Sequence, residues 1–304
     1  MKKLIAFLLV ALLLAGCAAA ETEAEGFTFT DDLGREVTVT STERVACLIG
    51  SFADIWYLAG GVDSIVATAK DTWTYFDLPL KDDVVNLGGT KELDLEQIIA
   101  CEPDFVIASC NTASQVKLKD TFDAMGLAAA YFDVSTFEDY LRVLEIFTQI
   151  TDRAEFYHLY GDMVGHQVDR AKARADGSEP SVLYIRATGS SAKVKNSEGS
   201  VLGEMLKDLG CRNIADSRES LLEQLSMEVI LQEDPDYIFV ILQSVDPAAA
   251  EQVMEATLLS NPVWNTLTAV REGRFYILDQ TLYNLKPNER WGEAYEKLAE
   301  ILYP

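Results

Sequence analysis

The sequence is poor in histidine, and this shortage excludes several kinds of site. Its 304 residues include 2 histidines, His158 and His166, which stand eight positions apart in one predicted helix. That spacing suits neither a shared metal ion nor a catalytic pair. Receptors for bare zinc or manganese need several imidazoles in the ligand site. We therefore expect neither a metal site built by the protein nor a histidine-based active site.

Basic residues are also scarce. The chain has 25 Lys and Arg against 49 Asp and Glu, a formal net charge of −24. At this charge we expect no nucleic-acid partner, because phosphate groups would be repelled. In so acidic a chain, a local cluster of cations is an informative feature.

Cysteine is sparse, and no pair of cysteines has CxxC spacing, which argues against a zinc site. After Cys17, the cysteines fall in or beside predicted strands and helices: Cys47, Cys101, Cys110 and Cys211. We expect buried thiols, although the sequence leaves disulfide bonds open. The sequence also lacks a phosphate-binding P-loop, and Gly189-Ser190-Ser191 does not complete a nucleophile elbow. An envelope enzyme is therefore a weak alternative.

The amino end has the pattern of an export signal. Lys2 and Lys3 precede an apolar run from Leu4 to Leu14, which is too short to span a membrane with these flanks. The following residues complete Leu-Ala-Gly-Cys, which resembles a bacterial lipobox and implies cleavage before Cys17 and lipidation of its sulfur. This predicts a signal peptide over 1–16 and a lipidated tether over 17–26. An ordinary secretory peptide with a chance cysteine is the alternative.

One segment of the chain occurs in two similar copies. Leu93–Ile99 leads through Pro103-Asp104 into an apolar strand, and Leu225–Leu231 leads through Pro235-Asp236 into another, at an offset of 132 residues without a gap. A helix followed by a buried strand is a common α/β unit, but two copies in register indicate a duplicated lobe. We predict an amino-terminal lobe over 27–150 and a carboxyl-terminal lobe over 176–304.

The stretch between the lobes has apolar residues at helical spacing from Thr151 to Arg174, so we predict one long linking helix over 151–175. Each lobe starts with a buried strand followed by a loop and a helix. In such folds ligands bind where parallel strands end. The fold class predicted is α/β, with two Rossmann-like lobes, each with a central parallel sheet, joined by a single long helix and with a ligand cleft between them.

Cations and aromatic residues concentrate where that cleft is predicted. The loop after the first strand of the second lobe carries three cations and no acid, and the segment after its last strand carries two more. The ligand-binding candidates, with two aromatic residues from a first-lobe loop, are Trp73, Tyr75, Arg186, Lys193, Lys195, Tyr283, Lys286 and Arg290. Cations complement an anion and aromatic rings stack on flat groups. Solvated surface charges and structural aromatic packing are the alternatives.

Taken together, the lipobox, duplicated lobes, linking helix and paired Leu-x-x-Glu and Pro-Asp segments resemble the substrate-binding lipoproteins of ABC importers for ferric siderophores, haem and cobalamin. The resemblance covers nearly the whole mature chain. It extends to the turn carrying Asp32, Gly34 and Arg35 and to the stretch Asn86–Gly89.

The resemblance implies a role for Glu96 and Glu228, which would dock one lobe each on basic residues of the permease. The helix dipole alone would also favour an acid at each of these first-turn positions. The partners implied are the permease and its ATPase, at the outer face of the cytoplasmic membrane. An anionic ferric siderophore is the preferred ligand, with haem or a corrinoid as alternatives. Iron or cobalt would be cargo, with no intrinsic cofactor. An adhesive lipoprotein is a further alternative.

Overall fold

A computed structural model describes residues 26–244 and 246–304. The predicted signal peptide 1–16, the lipidation of Cys17 and the tether up to residue 25 lie outside the described residues. Within the described ranges, no helix combines the length and the apolar character needed to cross a membrane.

The first lobe is built on a parallel sheet of five strands in the order β5-β4-β3-β8-β9, with an antiparallel hairpin of β1 and β2 beside it. Its strands are β1 (Phe27–Thr30), β2 (Glu36–Val39), β3 (Val45–Cys47), β4 (Ile65–Thr68), β5 (Val85–Asn86), β6 (Gly88–Gly89), β7 (Glu92–Leu93), β8 (Phe105–Ser109) and β9 (Ala128–Phe132). Its helices are α1 (Gly50–Leu58), α2 (Asp71–Tyr75), α3 (Leu95–Ala100), α4 (Ala113–Val116), α5 (Lys119–Met125) and α6 (Phe137–Ile150).

The second lobe has a sheet in the order β11-β10-β13-β14, with β12 paired to the start of β10. Its strands are β10 (Ser181–Ala187), β11 (Ala192–Lys195), β12 (Arg212–Asn213), β13 (Tyr237–Leu242) and β14 (Phe275–Leu278). Its helices are α9 (Val201–Asp208), α10 (Ser220–Glu223), α11 (Met227–Glu233), α12 (Pro247–Met254), α13 (Thr268–Arg271), α14 (Gln280–Tyr283) and α15 (Trp291–Leu302). Strands β10, β13 and β14 run parallel, whereas β11 returns antiparallel to β10.

A linking helix joins the lobes and consists of α7 (Ala154–Tyr157), a π-helical turn (His158–Asp162) and α8 (Met163–Lys172). A turn separates it from α6, and Asp152 in that turn has a φ of 54°. The helix therefore lies inside the predicted stretch and begins three residues later. Helix α15 packs along it so closely that a Cβ added to Gly292 would clash with Gln167.

The largest apolar core runs continuously through both lobes. It contains Phe52 and Trp56 from α1, Val168 from the linking helix, Tyr184 from β10 and Trp291 from α15, all with at most 1% exposure. Separate cores cover the other face of each sheet. The shared core fixes the two sheets against one linking helix, as tightly packed interiors do.

The duplicated segments match at the level of individual hydrogen bonds. In the first copy the Asp104 carboxylate accepts from the backbone N–H of Glu43 at 3.0 Å, just before β3. In the second copy the Asp236 carboxylate accepts from the backbone N–H and the hydroxyl of Ser181, at 2.8 and 2.7 Å, where β10 begins. The residue before each proline, Glu102 or Asp234, has a left-handed φ of 45° or 40°. We call Asp104 and Asp236 the strand clamps.

Two segments expected to be loops are regular structure. Residues 186–195 continue β10 to Ala187 and then form β11, with Arg186 opposite Lys193 and Tyr184 opposite Lys195. The four residues between the strands are enough for a hairpin. In the first lobe Trp73 and Tyr75 lie on the short helix α2, which follows β4 directly.

The four cysteines within the described residues are free: Cys47, Cys101 and Cys211 are buried, and Cys110 is partly buried. Burial raises the pKa of the Cys211 thiol to about 12 and that of Cys110 to about 11. These thiols are therefore protonated at neutral pH and unreactive.

Candidate ligand cleft

A cleft of 590 Å³ lies between the two lobes. The first lobe contributes residues from the carboxyl ends of β8 and β9 and from the start of α1, and the second lobe contributes residues from β10, from the start of α9 and from residues 280–286. This is the edge at which parallel sheets bind ligands. A hollow of 710 Å³ beside β14 and α15 belongs to the second lobe alone. The inter-lobe cleft is therefore the site that both halves build.

Neutral polar side chains dominate the lining of the cleft. Hydroxyl and amide groups come from both lobes: Thr90, Ser109, Asn111, Thr112, Ser135, Gln243, Ser244, Gln280 and Asn284. Apolar surface usually dominates small-molecule pockets. The surplus of hydrogen-bonding groups indicates a ligand with many polar atoms.

Two carboxylates lie on the first-lobe side, which we call the acidic wall: Asp71 and Asp133. One oxygen of Asp71 accepts from the backbone N–H of Gly50 at 3.0 Å, at the start of α1. The Asp133 carboxylate accepts from the side chains of Asn111 and Ser135. Burial raises the pKa of Asp71, against the hydrogen bond from Gly50. Both acids are thus held by donors of their own lobe.

Two cations enter the cleft from the second lobe. Arg186, near the end of β10, donates from Nη1 to the side-chain oxygen of Asn284 at 3.2 Å. Lys286 reaches across to the first lobe, with Nζ 5.4 Å from the centroid of the Phe52 ring. Burial lowers the pKa of Lys286, and the neighbouring acid Asp133 partly opposes this shift. Because the bonded partner of Arg186 is a neutral amide, that contact leaves its charge uncompensated.

Several buried polar atoms in the cleft lining have no hydrogen-bond partner among residues 26–244 and 246–304. They are Asp71 Oδ1, Tyr184 Oη and Ser200 Oγ. Tyr184 has 0% exposure and Ser200 has 9%. Buried polar groups normally have partners, because leaving one unpaired is costly. Their concentration in one cleft indicates that a ligand supplies the missing partners.

The structure brings half of the eight predicted ligand residues to the cleft. Tyr75, Arg186, Tyr283 and Lys286 line it. The hydroxyl of Tyr283, however, donates to the carbonyl of Ala294 in α15, so this group is used within the lobe.

The other four predicted residues are not in the cleft lining. Trp73 is 46% exposed on α2. Lys193 and Lys195 lie on β11, the edge strand of the second-lobe sheet, opposite Arg186 and Tyr184. Burial and the charges of Arg186 and Lys193 lower the pKa of Lys195. The Arg290 guanidinium pairs with Glu293 in the first turn of α15, at 2.7 Å.

Both proposed docking glutamates are exposed in the first turn of a helix. Asp94 caps α3 by accepting from the backbone N–H of Gln97 at 3.2 Å, and Ser226 occupies the same position at α11. Because these caps are made by other residues, Glu96 and Glu228 are left to project into solvent.

Three lining residues are not among the eight predicted: Tyr184 inside β10, Asp133 directly after β9, and Ser200 at the N-cap of α9. Side chains alternate along a strand, so Tyr184 shares a face with Arg186 two residues later. That signal was available in the sequence.

Comparisons with known proteins agree with this architecture. The sequence profile of the family described as periplasmic binding protein matches residues 45–282. A Bacillus subtilis protein named as an ABC transporter substrate-binding lipoprotein, YhfQ, is 22% identical, with 92% of this chain and 90% of that protein covered. The Fe(3+)-citrate-binding protein YfmC of Bacillus subtilis is 23% identical, with 90% of this chain and 87% of that protein covered.

Solved structures share the fold. The structure of IsdE of S. aureus complexed with heme superposes with a TM-score of 0.71, at 15% identity, over 87% of this chain and 100% of that chain. At this identity the likeness establishes the two-lobed architecture and leaves the ligand to be argued from the cleft.

Proposed function

This chain belongs to the periplasmic binding protein family, and we propose that it is an extracytoplasmic receptor that captures an anionic ferric chelate and delivers it to an ABC permease. Export and lipidation at Cys17 would hold it at the outer face of the cytoplasmic membrane. Its partners would be the permease and its ATPase. Iron enters this proposal as cargo within the chelate.

The observation that carries the proposal is Arg186 in a polar cleft between two lobes. Its guanidinium is partly buried, and its hydrogen-bond partner is the neutral Asn284 amide. Arginine presents five N–H donors in a fork that fits carboxylate and other oxyanions. The Asp133 carboxylate, across the cleft, already accepts from Asn111 and Ser135. An incoming anion therefore finds its counter-charge on the second-lobe side.

The lining favours a small hydrophilic chelate over a macrocycle. A haem or corrinoid ring presents a broad apolar face, whereas this cleft is lined mainly by hydroxyl and amide groups. The name of the relative YfmC, a Fe(3+)-citrate-binding protein, supports the same ligand class.

Haem is the second candidate, because one observation favours it. Tyr184 is among the residues that line the cleft, its hydroxyl has no partner within the described residues, and a tyrosine oxygen is a known ligand of haem iron.

Binding of a ligand panel tests the proposal. The panel contains ferric citrate, a ferric trihydroxamate, a ferric tricatecholate, haemin and cyanocobalamin, each titrated against the purified protein by intrinsic fluorescence and calorimetry. We expect saturable binding of an anionic ferric chelate. Arg186→Ala should weaken it by roughly tenfold or more.

Lys193→Ala is the matched control, because Lys193 lies directly across the strand pair from Arg186 but outside the cleft lining. Both changes remove one positive charge from the same hairpin. We expect the control to change affinity by less than roughly twofold, since an exposed charge contributes little. Equal losses in the two variants would show a general field effect and argue against an anion site at Arg186. Binding of haemin alone would select the second candidate.

A further inference from the structure

The second-lobe side of the cleft combines three kinds of hydrogen-bond donor: the Tyr184 hydroxyl, the Arg186 guanidinium and the amino end of α9. Tyr184 and Arg186 project from the same face of β10, because they are two residues apart on a strand. Both line the cleft, with Arg186 closer to the end of the strand. The Tyr184 hydroxyl has no hydrogen-bond partner within the described residues, although the side chain is fully buried.

The amino end of α9 lies on the same side. Gly199, Ser200 and Val201 line the cleft, and the helix has eight residues, Val201–Asp208. Ser200 is the N-cap, yet its hydroxyl caps no backbone N–H of the helix and has no partner among the residues that the structure describes. The Glu204 carboxylate accepts from the N–H of Gly199 at 3.0 Å, which fixes the loop before the helix. The first N–H groups of a helix favour an anion.

We propose that Tyr184, Arg186, Ser200 and the amino end of α9 form a carboxylate subsite, so that the chelate bound is one that presents free or iron-bound carboxylates. The inference deepens the proposed function and rests on it. We call these residues the donor wall.

The chemistry of the donor wall distinguishes carboxylates from the other chelating groups of iron carriers. Burial raises the pKa of Tyr184 to about 12, although the Arg186 charge opposes the shift. The phenol is therefore neutral at physiological pH and can donate a hydrogen bond. A hydroxyl, a guanidinium and helix N–H groups are all hydrogen-bond donors, and a carboxylate accepts several such bonds at once. A neutral hydroxamate chelate would leave the Arg186 charge unmatched.

The test compares Tyr184→Phe and Ser200→Ala with Tyr237→Phe in the full-length protein purified in detergent. Tyr237 lies on the neighbouring strand β13 and is absent from the cleft lining. We expect Tyr184→Phe and Ser200→Ala each to weaken ferric citrate by roughly tenfold, as the loss of a hydrogen bond to a charged group does. Affinity for a ferric tricatecholate, an anion without carboxylates, should change by less than roughly twofold. Tyr237→Phe should leave the affinities for ferric citrate and for the tricatecholate unchanged.

Thermal unfolding without ligand is a second readout. Because the Tyr184 hydroxyl has no internal partner, its removal should leave the ligand-free midpoint unchanged or slightly raised. The increase in midpoint on adding ferric citrate should shrink. A large loss of ligand-free stability would show that the hydroxyl is used structurally and would overturn the subsite.

Several results would contradict the proposal in different ways. If Arg186→Ala weakens ferric citrate but Tyr184→Phe and Ser200→Ala do not, the anion is held by charge alone. A tyrosinate-to-iron absorption band lost in Tyr184→Phe would make Tyr184 an iron ligand instead.

Metal-free citrate separates failure of the subsite from failure of the receptor assignment. If no ferric chelate binds, but metal-free citrate binds and this binding is lost in Tyr184→Phe, the subsite stands and the proposed cargo is wrong. If a tricatecholate binds and citrate in either form does not, the receptor assignment stands and the subsite is overturned.

Discussion

The two lobes are alike where they face away from each other and different where they meet. On the outside each copy keeps a strand clamp, a left-handed residue before proline and an exposed first-turn glutamate. At the cleft the first lobe presents the acidic wall, whose carboxylates accept from their own lobe, although Asp71 Oδ1 has no partner within the described residues. The second lobe presents the donor wall, where Tyr184 and Ser200 have no partner within the described ranges.

This contrast indicates which parts of a duplicated fold serve both copies equally. Clamps and helix starts are needed wherever the α/β unit folds, so they persist in both halves. Ligand contacts depend on a single asymmetric molecule that touches each lobe differently. Divergence at the cleft is therefore expected, whereas the outer surfaces stay alike because both lobes fold in the same way.

The largest effect should come from breaking the outer symmetry. If Glu96 and Glu228 dock the lobes on basic permease residues, Glu96→Arg or Glu228→Arg should abolish uptake of the bound chelate, because attraction is replaced by like-charge repulsion. Ligand affinity should stay within roughly twofold, since both glutamates are exposed in helices α3 and α11 and lie outside the cleft lining. Uptake by cells and binding by purified protein measure the two properties separately.

Glu155→Arg provides the control for this experiment. Glu155 is an exposed acid on the linking helix, with 62% of its side chain accessible. The change in net charge is identical, so a surface-charge effect would lower uptake in all three variants. Normal uptake by Glu96→Arg and Glu228→Arg would reject the docking role.

The strand clamps should give the next largest effect. Removing the carboxylate in Asp104→Ala or Asp236→Ala leaves donors at the start of β3 or β10 without their charged acceptor. We expect each change to lower the free energy of unfolding by about 2–3 kcal/mol. Denaturant unfolding followed by circular dichroism measures both, and similar losses are expected because the clamps are equivalent.

Asp63→Ala serves as the control, because Asp63 is an aspartate of the first lobe whose side chain is 92% accessible. It should change stability by less than about 0.5 kcal/mol. A clamp variant as stable as this control would show that the shared hydrogen bonds are incidental to folding.

The repeat, the lobes and the linking helix could be read from the sequence because they follow from local spacing. Apolar periodicity and a turn at Pro-Asp can each be seen within a few dozen residues. The duplication can be seen because its two copies align without a gap at an offset of 132 residues. The prediction that each lobe starts with a buried strand is met by β3 and β10.

The cleft was only half predictable, because its composition depends on contacts between distant segments. Lys193 and Lys195 stand close to Arg186 in sequence, but hairpin pairing places them on the edge strand β11, outside the cleft lining. Arg290 forms an ion pair with Glu293, three residues later, and lies outside the cleft lining. Strand alternation places Tyr184 on the same face as Arg186, but the missing hydrogen-bond partners of Tyr184 and Ser200 are visible only in three dimensions.

The smallest effect concerns the junction, by which we mean the contact of Asn288 with the first lobe. This contact is not part of the duplicated segments. Asn288 of the second lobe, with a φ of 53° and 0% exposure, donates to the carbonyl of Ser51 and to the carboxylate of Asp54 in α1. Burial, with a contribution from the Glu289 charge, raises the pKa of Asp54 to about 6 against the hydrogen bond from Asn288. The folded protein therefore retains a proton on Asp54 at pH values where the unfolded chain, with its lower pKa, has lost it.

Where the folded state binds more protons, the free energy of unfolding falls as pH rises. The contribution of Asp54 to stability should thus decline between about pH 4 and 6 and stay low above that range. Asp54→Asn removes the charge and keeps an oxygen that can accept from Asn288. We expect this variant to gain about 1–2 kcal/mol over the original protein at neutral pH and almost nothing near pH 4, whereas Asp63→Asn should show no such difference. Denaturant unfolding at the two pH values measures it, and equal stability of Asp54→Asn and the original protein at both would mean that the carboxylate is solvated at the junction.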